Sequence, residues 1–357
     1  MNQIPANDAV VATTNGITRG EVILEATDLV RRFTAKGEGG LFAPKKTLVA
    51  VDRVSLALRA GEVVAIVGES GSGKSVLSRL LARIITPSAG TLALRGTPID
   101  LRSRRTTAYA NEVQLVLQDP FASINPVRRV GRSLERPLRI HGTPKDQVQA
   151  RAYEVLESVS LTPPQQYLDR FPHELSGGQL QRVNIARGLS VRPKVLLADE
   201  PISMLDVSVR LGVLNLLREL CDAHLLAMMY ITHDIASARY IADETAVMYA
   251  GQVVERGRGT VVIDGPVHPY TQLLVSSVPD PDQLTHQEHR ATTANAVGFN
   301  LEGCRFSPRC PHATELCHTS EPPMVELEDG HSAKCWLVAD AAQRTAVSMR
   351  PGPSSEG

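Results

Sequence analysis

The sequence has no charge of one sign to spare: 38 basic side chains stand against 38 acidic ones, a formal net charge of +0. A chain held to nucleic acid or an anionic surface by general attraction would carry an excess of Lys and Arg, so the overall balance argues for neither partner. Short basic clusters at Arg102, Arg104, Arg105 and at Arg128, Arg129, Arg132 read as solvated surface. Long apolar runs are missing too. Leu225 to Ile231 is among the longest, far below the ~18–20 residues that span a bilayer, so no transmembrane helix is expected. Met1 to Gly20 lacks a charged stretch followed by an apolar one, and reads as a flexible tail rather than a signal peptide, with the chain staying in the cytosol. Cysteine is scarce: there are five, four of them between Cys304 and Cys335, unlike the distribution in a disulfide-stapled secreted domain.

What is present starts with a core-forming composition, 43% hydrophobic over 357 residues, enough for one large domain or two ordinary ones. The most informative stretch is Gly68-Glu69-Ser70-Gly71-Ser72-Gly73-Lys74-Ser75. It follows an apolar strand, Glu62 to Val67, and opens an amphipathic helix from Val76 to Ile85, the context in which G-x-x-x-x-G-K-[ST] is a phosphate-binding loop. Gly68, Gly71 and Gly73 let the backbone curl until successive N–H groups, Ser70 among them, converge on phosphate. The helix N-terminus adds its positive dipole end, Lys74 supplies a charge for the β- and γ-phosphates, and Ser75 is placed to ligate Mg²⁺. The loop binds ATP or GTP. A strand over Glu21 to Val30 ends at Phe33, whose face could stack on a base, the alternative being an ordinary core or surface aromatic.

Further groups follow at strand ends. Val113 to Leu117 is an apolar strand ending in Gln118, whose amide could reach an ion outside the carboxyl edge of a sheet. From Pro126 to Pro172 the pattern turns helical, with Pro137, Pro144, Pro163 and Pro164 as punctuation. Leu175-Ser176-Gly177-Gly178-Gln179 opens the next helix: Ser176 is an N-cap residue and the glycines leave backbone N–H groups open to an anion, a second phosphate site in one chain. Lys194 to Ala198 is a buried strand delivering Asp199 and Glu200. Asp199 could hold Mg²⁺ through water, leaving Glu200 to polarise the water that attacks the γ-phosphate. The strand Leu225 to Ile231 ends in His233, read as functional from its place at the same edge. Thr245 to Tyr249 and Gln252 to Glu255 form a hairpin about Ala250-Gly251, and His268-Pro269-Tyr270 starts a short helix through Val275.

In this order the loop, Gln118, LSGGQ, the VLLADEP strand, Asp206 and His233 resemble the nucleotide-binding domain of ABC transporters, over roughly residues 21 to 340. The strings QDPFASINP, HELSGGQ, DEPISMLDVSVR and HPYTQLL resemble the ATPase subunits of dipeptide/oligopeptide importers, whose relatives also move nickel. GLFAP at Gly40 to Pro44 is similar to the second of the two paralogous ATPases of such importers.

The resemblance implies an α/β fold: a RecA-like P-loop core with an antiparallel β subdomain, an inserted α-helical subdomain and a small Cys-containing C-terminal extension. The implied division is a tail over 1–20, a nucleotide-binding domain over 21–265 with its helical insert at about 120–190, an extension over 266–340 and a disordered tail over 341–357. It also implies ATP hydrolysis coupled to transport on the cytoplasmic face of the membrane. The partners would be a paralogous ATPase, two transmembrane permease subunits and, indirectly, an extracytoplasmic substrate-binding protein, with no nucleic acid. Each ATP would lie between the Lys74 loop of one subunit and the Ser176–Gln179 loop of the other. By the same resemblance Phe33 stacks on adenine, Gln118 senses Mg²⁺, Asp206 lies at the dimer seam and His233 contacts the γ-phosphate. A soluble non-transport ABC ATPase would usually show two cassettes or a long coiled-coil insert, and neither is present.

The four cysteines follow C-x5-C-x6-C-x17-C. Cys304, Cys310, Cys317 and Cys335 are soft ligands in a cytosolic protein, which suggests Zn²⁺ or an iron–sulfur cluster before disulfides. Similar segments in related importers rank a [4Fe-4S] cluster first, zinc second and reduced thiols third. His312, His318 and His331 lie nearby and read as surface residues.

Overall fold

The computed structural model describes residues 13–14, 16–35, 46–277, 302–327 and 330–340. The GLFAP string, the linker at Pro279 to Asp282 and the tail from 341 lie outside the described residues. The rest falls into two compact units, one built from the segments up to Glu25, Leu56–Val63 and Leu92–Met229, the other from Ala26–Ser55, Val64–Thr91 and the chain from Tyr230 on.

In the first unit Val113–Val116 pairs in parallel with Val195–Asp199, in the register Val113 to Val195 and Val116 to Ala198. Every residue of Val195–Asp199 is buried, which is why this strand reads as a continuous apolar run rather than an alternating one. The helix Gly177–Leu189 lies against both strands through Gly188: a Cβ there would come within 3.5 Å of Leu196 and of Val116 side-chain carbons. The helix Val207–His224 buries Val213, Leu214, Leu216, Leu217, Leu220 and Cys221 at helical spacing. Each such leucine removed from water is worth about 1.5–3 kcal/mol. Among the helical segments expected from the sequence, Val130–Ile140 and Val148–Ser158 form, but Pro137 sits inside the first helix instead of ending it. Its carbonyl still accepts the His141 N–H at 3.0 Å, so only the bond its own nitrogen cannot donate is lost.

Residues at the N-terminal side of this unit are tied in. Thr13–Thr14 pairs antiparallel with Ile17–Thr18, Ile17 is buried, and Arg19 forms an ion pair with Asp222.

In the second unit Val64–Val67 pairs in parallel with Glu244–Val247. Glu244–Tyr249 then turns at Ala250-Gly251 and pairs antiparallel with Gln252–Arg258. The C-terminal region continues this sheet: Ser332 and Ala333 pair with Arg256 and Glu255, and Val325–Glu326 pairs with Ser332–Ala333. Glu255, fully buried, accepts the N–H groups of Val267 and His268 and lies 2.7 Å from His331 Nε2. His331 is therefore not a surface residue. It is buried because a carboxylate inside the sheet needs a partner of opposite or shareable charge. His312 and His318 are exposed, as expected.

Candidate functional site

The residues singled out from the sequence divide between the units. The second holds Phe33, the Gly68–Ser75 loop, His233 and the four cysteines; the first holds Gln118, Ser176–Gln179, Asp199, Glu200 and Asp206.

The loop links the fully buried strand Val63–Val67 to the helix Lys74–Leu81, which starts two residues earlier than the apolar pattern suggests. Two of its glycines, Gly68 and Gly73, are required by close approach. A Cβ on Gly68 would lie 2.2 Å from the Met248 carbonyl oxygen, and one on Gly73 would lie 2.2 Å from that of Ala50, with φ at +150° and +105°. Lys74 is buried, and its ammonium donates to the Gly68 carbonyl at 2.6 Å and the Glu69 carbonyl at 2.8 Å. A buried ammonium on a short bed of carbonyls is an electropositive point at a helix N-terminus, where a polyphosphate is favoured. Phe33 is half-buried, with the Arg31 guanidinium carbon 4.5 Å from its ring centroid, a cation–π contact. His233 is exposed at the end of the strand Ala227–Thr232, next to Asp234, which caps the helix Ile235–Ile241 by accepting the Ala236 and Ser237 N–H groups.

In the first unit Asp199 is buried as the last residue of its strand, and Glu200 turns the chain with φ at +46°. A left-handed non-glycine residue costs of the order of 1–3 kcal/mol and is kept where its surroundings over-determine it. Here the Glu200 carbonyl accepts both the N–H and the hydroxyl of Ser203, at 3.3 and 3.0 Å, and the carboxylate accepts the Gln118 amide at 2.9 Å. Gln118, expected at an ion, thus donates to Glu200 in this arrangement. Ser176 is the helix N-cap as expected: it accepts the Gln179 N–H at 3.3 Å, while the Gln179 side chain accepts the Ser176 N–H at 3.1 Å. This reciprocal pair occupies the Gln179 amide oxygen in capping. Asp206 is exposed at the head of Val207–His224 and makes no side-chain cap.

All five cysteines are free. In the C-terminal segment the Cys304 N–H donates to the Cys317 carbonyl at 2.8 Å, and the Thr314 hydroxyl lies 3.3 Å from Cys317 Sγ. Burial pushes the Cys304 thiol above its ordinary pKa, and the other three cysteines add to the shift. Burial likewise raises Cys310 and Cys335. Yet among the described residues no three His, Cys, Asp or Glu side chains are grouped to hold a metal ion. The expected [4Fe-4S] or Zn²⁺ centre is not met, and no chemistry follows through a metal there.

Two residues to which the sequence gives no role at the loop come forward there. Arg309 pairs with the Glu69 carboxylate, and the Tyr270 hydroxyl accepts the Glu69 N–H at 2.9 Å. Their only signal was position: Tyr270 follows a His-Pro pair and Arg309 precedes a cysteine.

A family model described as ABC transporter matches residues 51–203, and one described as oligopeptide/dipeptide transporter, C-terminal region, matches 254–317. The dipeptide transport ATP-binding protein DppF of Haemophilus influenzae is 39% identical over 330 residues, 91% of this chain and 99% of the relative. DppF of Escherichia coli is 38% identical over 333 residues, 91% and 97% of the two chains. Among solved structures, the dimeric structure of a bacterial ABC transporter cassette matches at a TM-score of 0.56 and 25% identity, over 66% of this chain and 98% of that one. The cbiO1 protein of Clostridium perfringens, part of an ABC transporter complex, matches at 0.59 and 27%, over 69% and 92%. The chain therefore belongs to the ABC transporter ATP-binding family, has the mixed α/β cassette fold and is an ATPase. Within the family it belongs with the oligopeptide/dipeptide transport ATP-binding proteins.

Proposed function

We propose that this chain is the ATP-hydrolysing subunit that powers import of di- or oligopeptides. The observation that carries the reading is the end-to-end match to dipeptide transport ATP-binding proteins, which includes the C-terminal region as well as the cassette. ATP enters with Mg²⁺ as substrate. The Gly68–Ser75 loop and Lys74 bind its phosphates, Phe33 stacks on the base, and Ser75, Gln118 and Asp199 offer the oxygen donors that Mg²⁺ prefers. Glu200 takes the proton of the attacking water while His233 touches the γ-phosphate. Ser176–Gln179 and Asp206 of a partner ATPase, most simply a paralogue, complete the site. Closure on ATP then moves two permease subunits fed by an extracytoplasmic binding protein, which puts this chain on the cytoplasmic face of the membrane. No described helix is long and apolar enough to cross a membrane, which suits a subunit held there by permeases.

The same reading divides the chain into a cassette over 21–265, with its helical insert at about 120–190, and an extension over 266–340. For the extension's cysteines, a [4Fe-4S] cluster, with Zn²⁺ as its alternative, rests on the C-x5-C-x6-C-x17-C spacing alone. Iron, zinc and sulfide analysis of anaerobically purified protein tests it, and a metal-free sample leaves four reduced thiols.

The transport reading is tested by reconstituting the chain with its permeases and binding protein in vesicles. ATP-dependent uptake of labelled peptide, lost on Glu200→Gln, is expected. Uptake of Ni²⁺ without peptide uptake would replace the peptide reading, and ATPase activity that ignores permeases and binding protein would remove the transport role.

A further inference from the structure

We propose that the Cys304–Cys310 segment is a clamp on the phosphate loop, and that Arg309 within it is a positioning residue for ATP binding. This rests on the reading of Gly68–Ser75 as the ATP site.

Glu69, the first residue after the loop's opening glycine, is held at three points. Its carboxylate takes both arms of the Arg309 guanidinium, Nη1 to Oε2 and Nη2 to Oε1, each at 2.9 Å. Its N–H donates to the Tyr270 hydroxyl at 2.9 Å, and its carbonyl accepts from Lys74 at 2.8 Å. Two of these three partners belong to the region after the cassette hairpin, and the third is the lysine that meets phosphate. Arg309 is fixed in turn, its guanidinium carbon 5.7 Å from the ring centroids of Tyr249 and Phe306. Hydrogen bonding to Glu69 raises the Arg309 pKa further, so the guanidinium stays charged. A planar fork on a carboxylate, braced by aromatic faces, is the arrangement in which an ion pair gives geometry as well as energy.

A second prong starts four residues earlier. Arg305 is buried and donates to the Ala250 carbonyl and to Asp52. The Asp52 N–H donates to the Gly251 carbonyl at 2.8 Å, and the Gly251 N–H donates to the Ser72 carbonyl at 2.8 Å. Arg309 thus reaches the entry of the loop directly and Arg305 reaches its middle through the turn. A loop whose peptide planes are already set does not have to be ordered when the polyphosphate arrives, and that ordering cost would otherwise be taken out of the binding energy. The clamp therefore acts on ATP affinity. Neither arginine is among the groups assigned to the hydrolytic step, so the expected change is in binding rather than in turnover.

The experiment uses the full chain, with ATPase kinetics and direct binding of a fluorescent ATP analogue. Arg309→Ala is expected to raise KM for ATP and the analogue Kd about tenfold, the scale of one charge-assisted pair, with kcat within about twofold. Arg309→Lys, which keeps the charge and loses the fork, should recover only part of the affinity. The exchange Glu69→Arg with Arg309→Glu restores the pair with reversed polarity; it should bring KM back toward the wild-type value while each single change raises it. If Arg309→Ala does not fold, the exchange series carries the test alone. An unchanged KM in Arg309→Ala, a fall in kcat at constant KM, or a double variant no better than its singles overturns the clamp. Lys74→Ala separates the two readings: retained tight nucleotide binding in that variant removes the phosphate-loop assignment itself, whatever Arg309 does.

Discussion

Gln118 donates its side-chain amide to the carboxylate of Glu200, Nε2 to Oε2 at 2.9 Å, so the strand ends of Val113–Val116 and Val195–Asp199 are joined through the residue proposed to activate water. A carboxylate that accepts an amide N–H is aimed, which a general base needs. Glu200→Gln keeps a side chain of the same shape that Gln118 can still meet but removes the base. Its expected outcome is a fall in kcat of at least about 100-fold with ATP binding retained, read by phosphate release and by analogue binding in parallel. Gln118→Ala removes both the amide that aims Glu200 and the oxygen proposed for Mg²⁺, and should cost about tenfold in kcat, less than Glu200→Gln. A loss that excess Mg²⁺ does not lessen would assign the effect of Gln118 to orienting Glu200.

The loop glycines separate a steric requirement from a conformational one. Gly73→Ala places a methyl group 2.2 Å from the Ala50 carbonyl at φ +105°, and backbone has to move. Gly71→Ala, at φ +80°, meets nothing within 4 Å and bears only the left-handed penalty of about 1–2 kcal/mol. The melting temperature should therefore fall more in Gly73→Ala than in Gly71→Ala. Nucleotide binding should be lost in the first and weakened in the second.

Ser176 and Gln179 cap each other at the start of Gly177–Leu189. Ser176→Ala removes an N-cap oxygen and should cost about 1 kcal/mol of stability in denaturant unfolding. The same variant tests the composite-site reading, because a residue that completes a partner's ATP site should lower ATPase activity more than its stability loss explains. Activity that follows stability alone would leave Ser176 as a cap and nothing more.

How much of this was legible in the chain depended on how local each cause is. Val195–Asp199 could be found because a strand buried along its whole length is a run of apolar residues, and the turn at Ala250-Gly251 because its glycine interrupts two such runs. The loop was legible as a motif because its glycines, lysine and serine lie within eight residues. Pro137 misled because a proline in the first half of the last turns removes one bond without stopping a helix whose apolar face is already buried. His331 with Glu255 and Arg309 with Glu69 left no local trace, since 76 and 240 residues separate the partners. The cysteine spacing does not tell how far apart the sulfurs stand. The LSGGQ string that presents backbone N–H groups also encodes a capping box, formed by the Ser176 and Gln179 side chains.

The second unit carries an acid-sensitive residue next to Tyr270. His268 caps the helix Pro269–Ser276: its Nδ1 accepts the Tyr270 N–H at 3.0 Å, and its ring is also hydrogen-bonded to the backbone of Lys334. The side chain is almost wholly buried, and that burial lowers its pKa from 6.5 to about 4. The folded protein therefore resists a proton that the unfolded chain takes up readily. The sign follows: stability is complete above the unfolded value of 6.5, falls as the pH drops through the interval between 6.5 and about 4, and changes no further through this residue below it. A shift of this size corresponds to roughly 3 kcal/mol lost across the interval. Urea unfolding at a series of pH values should show the decline. His268→Gln keeps an acceptor for the Tyr270 N–H and has nothing to protonate, so it should cost some stability at neutral pH while flattening the slope between pH 6.5 and about 4. An undiminished slope in that variant would assign the acid sensitivity to another group, and a slope of opposite sign in the wild type would mean that the buried imidazole is charged.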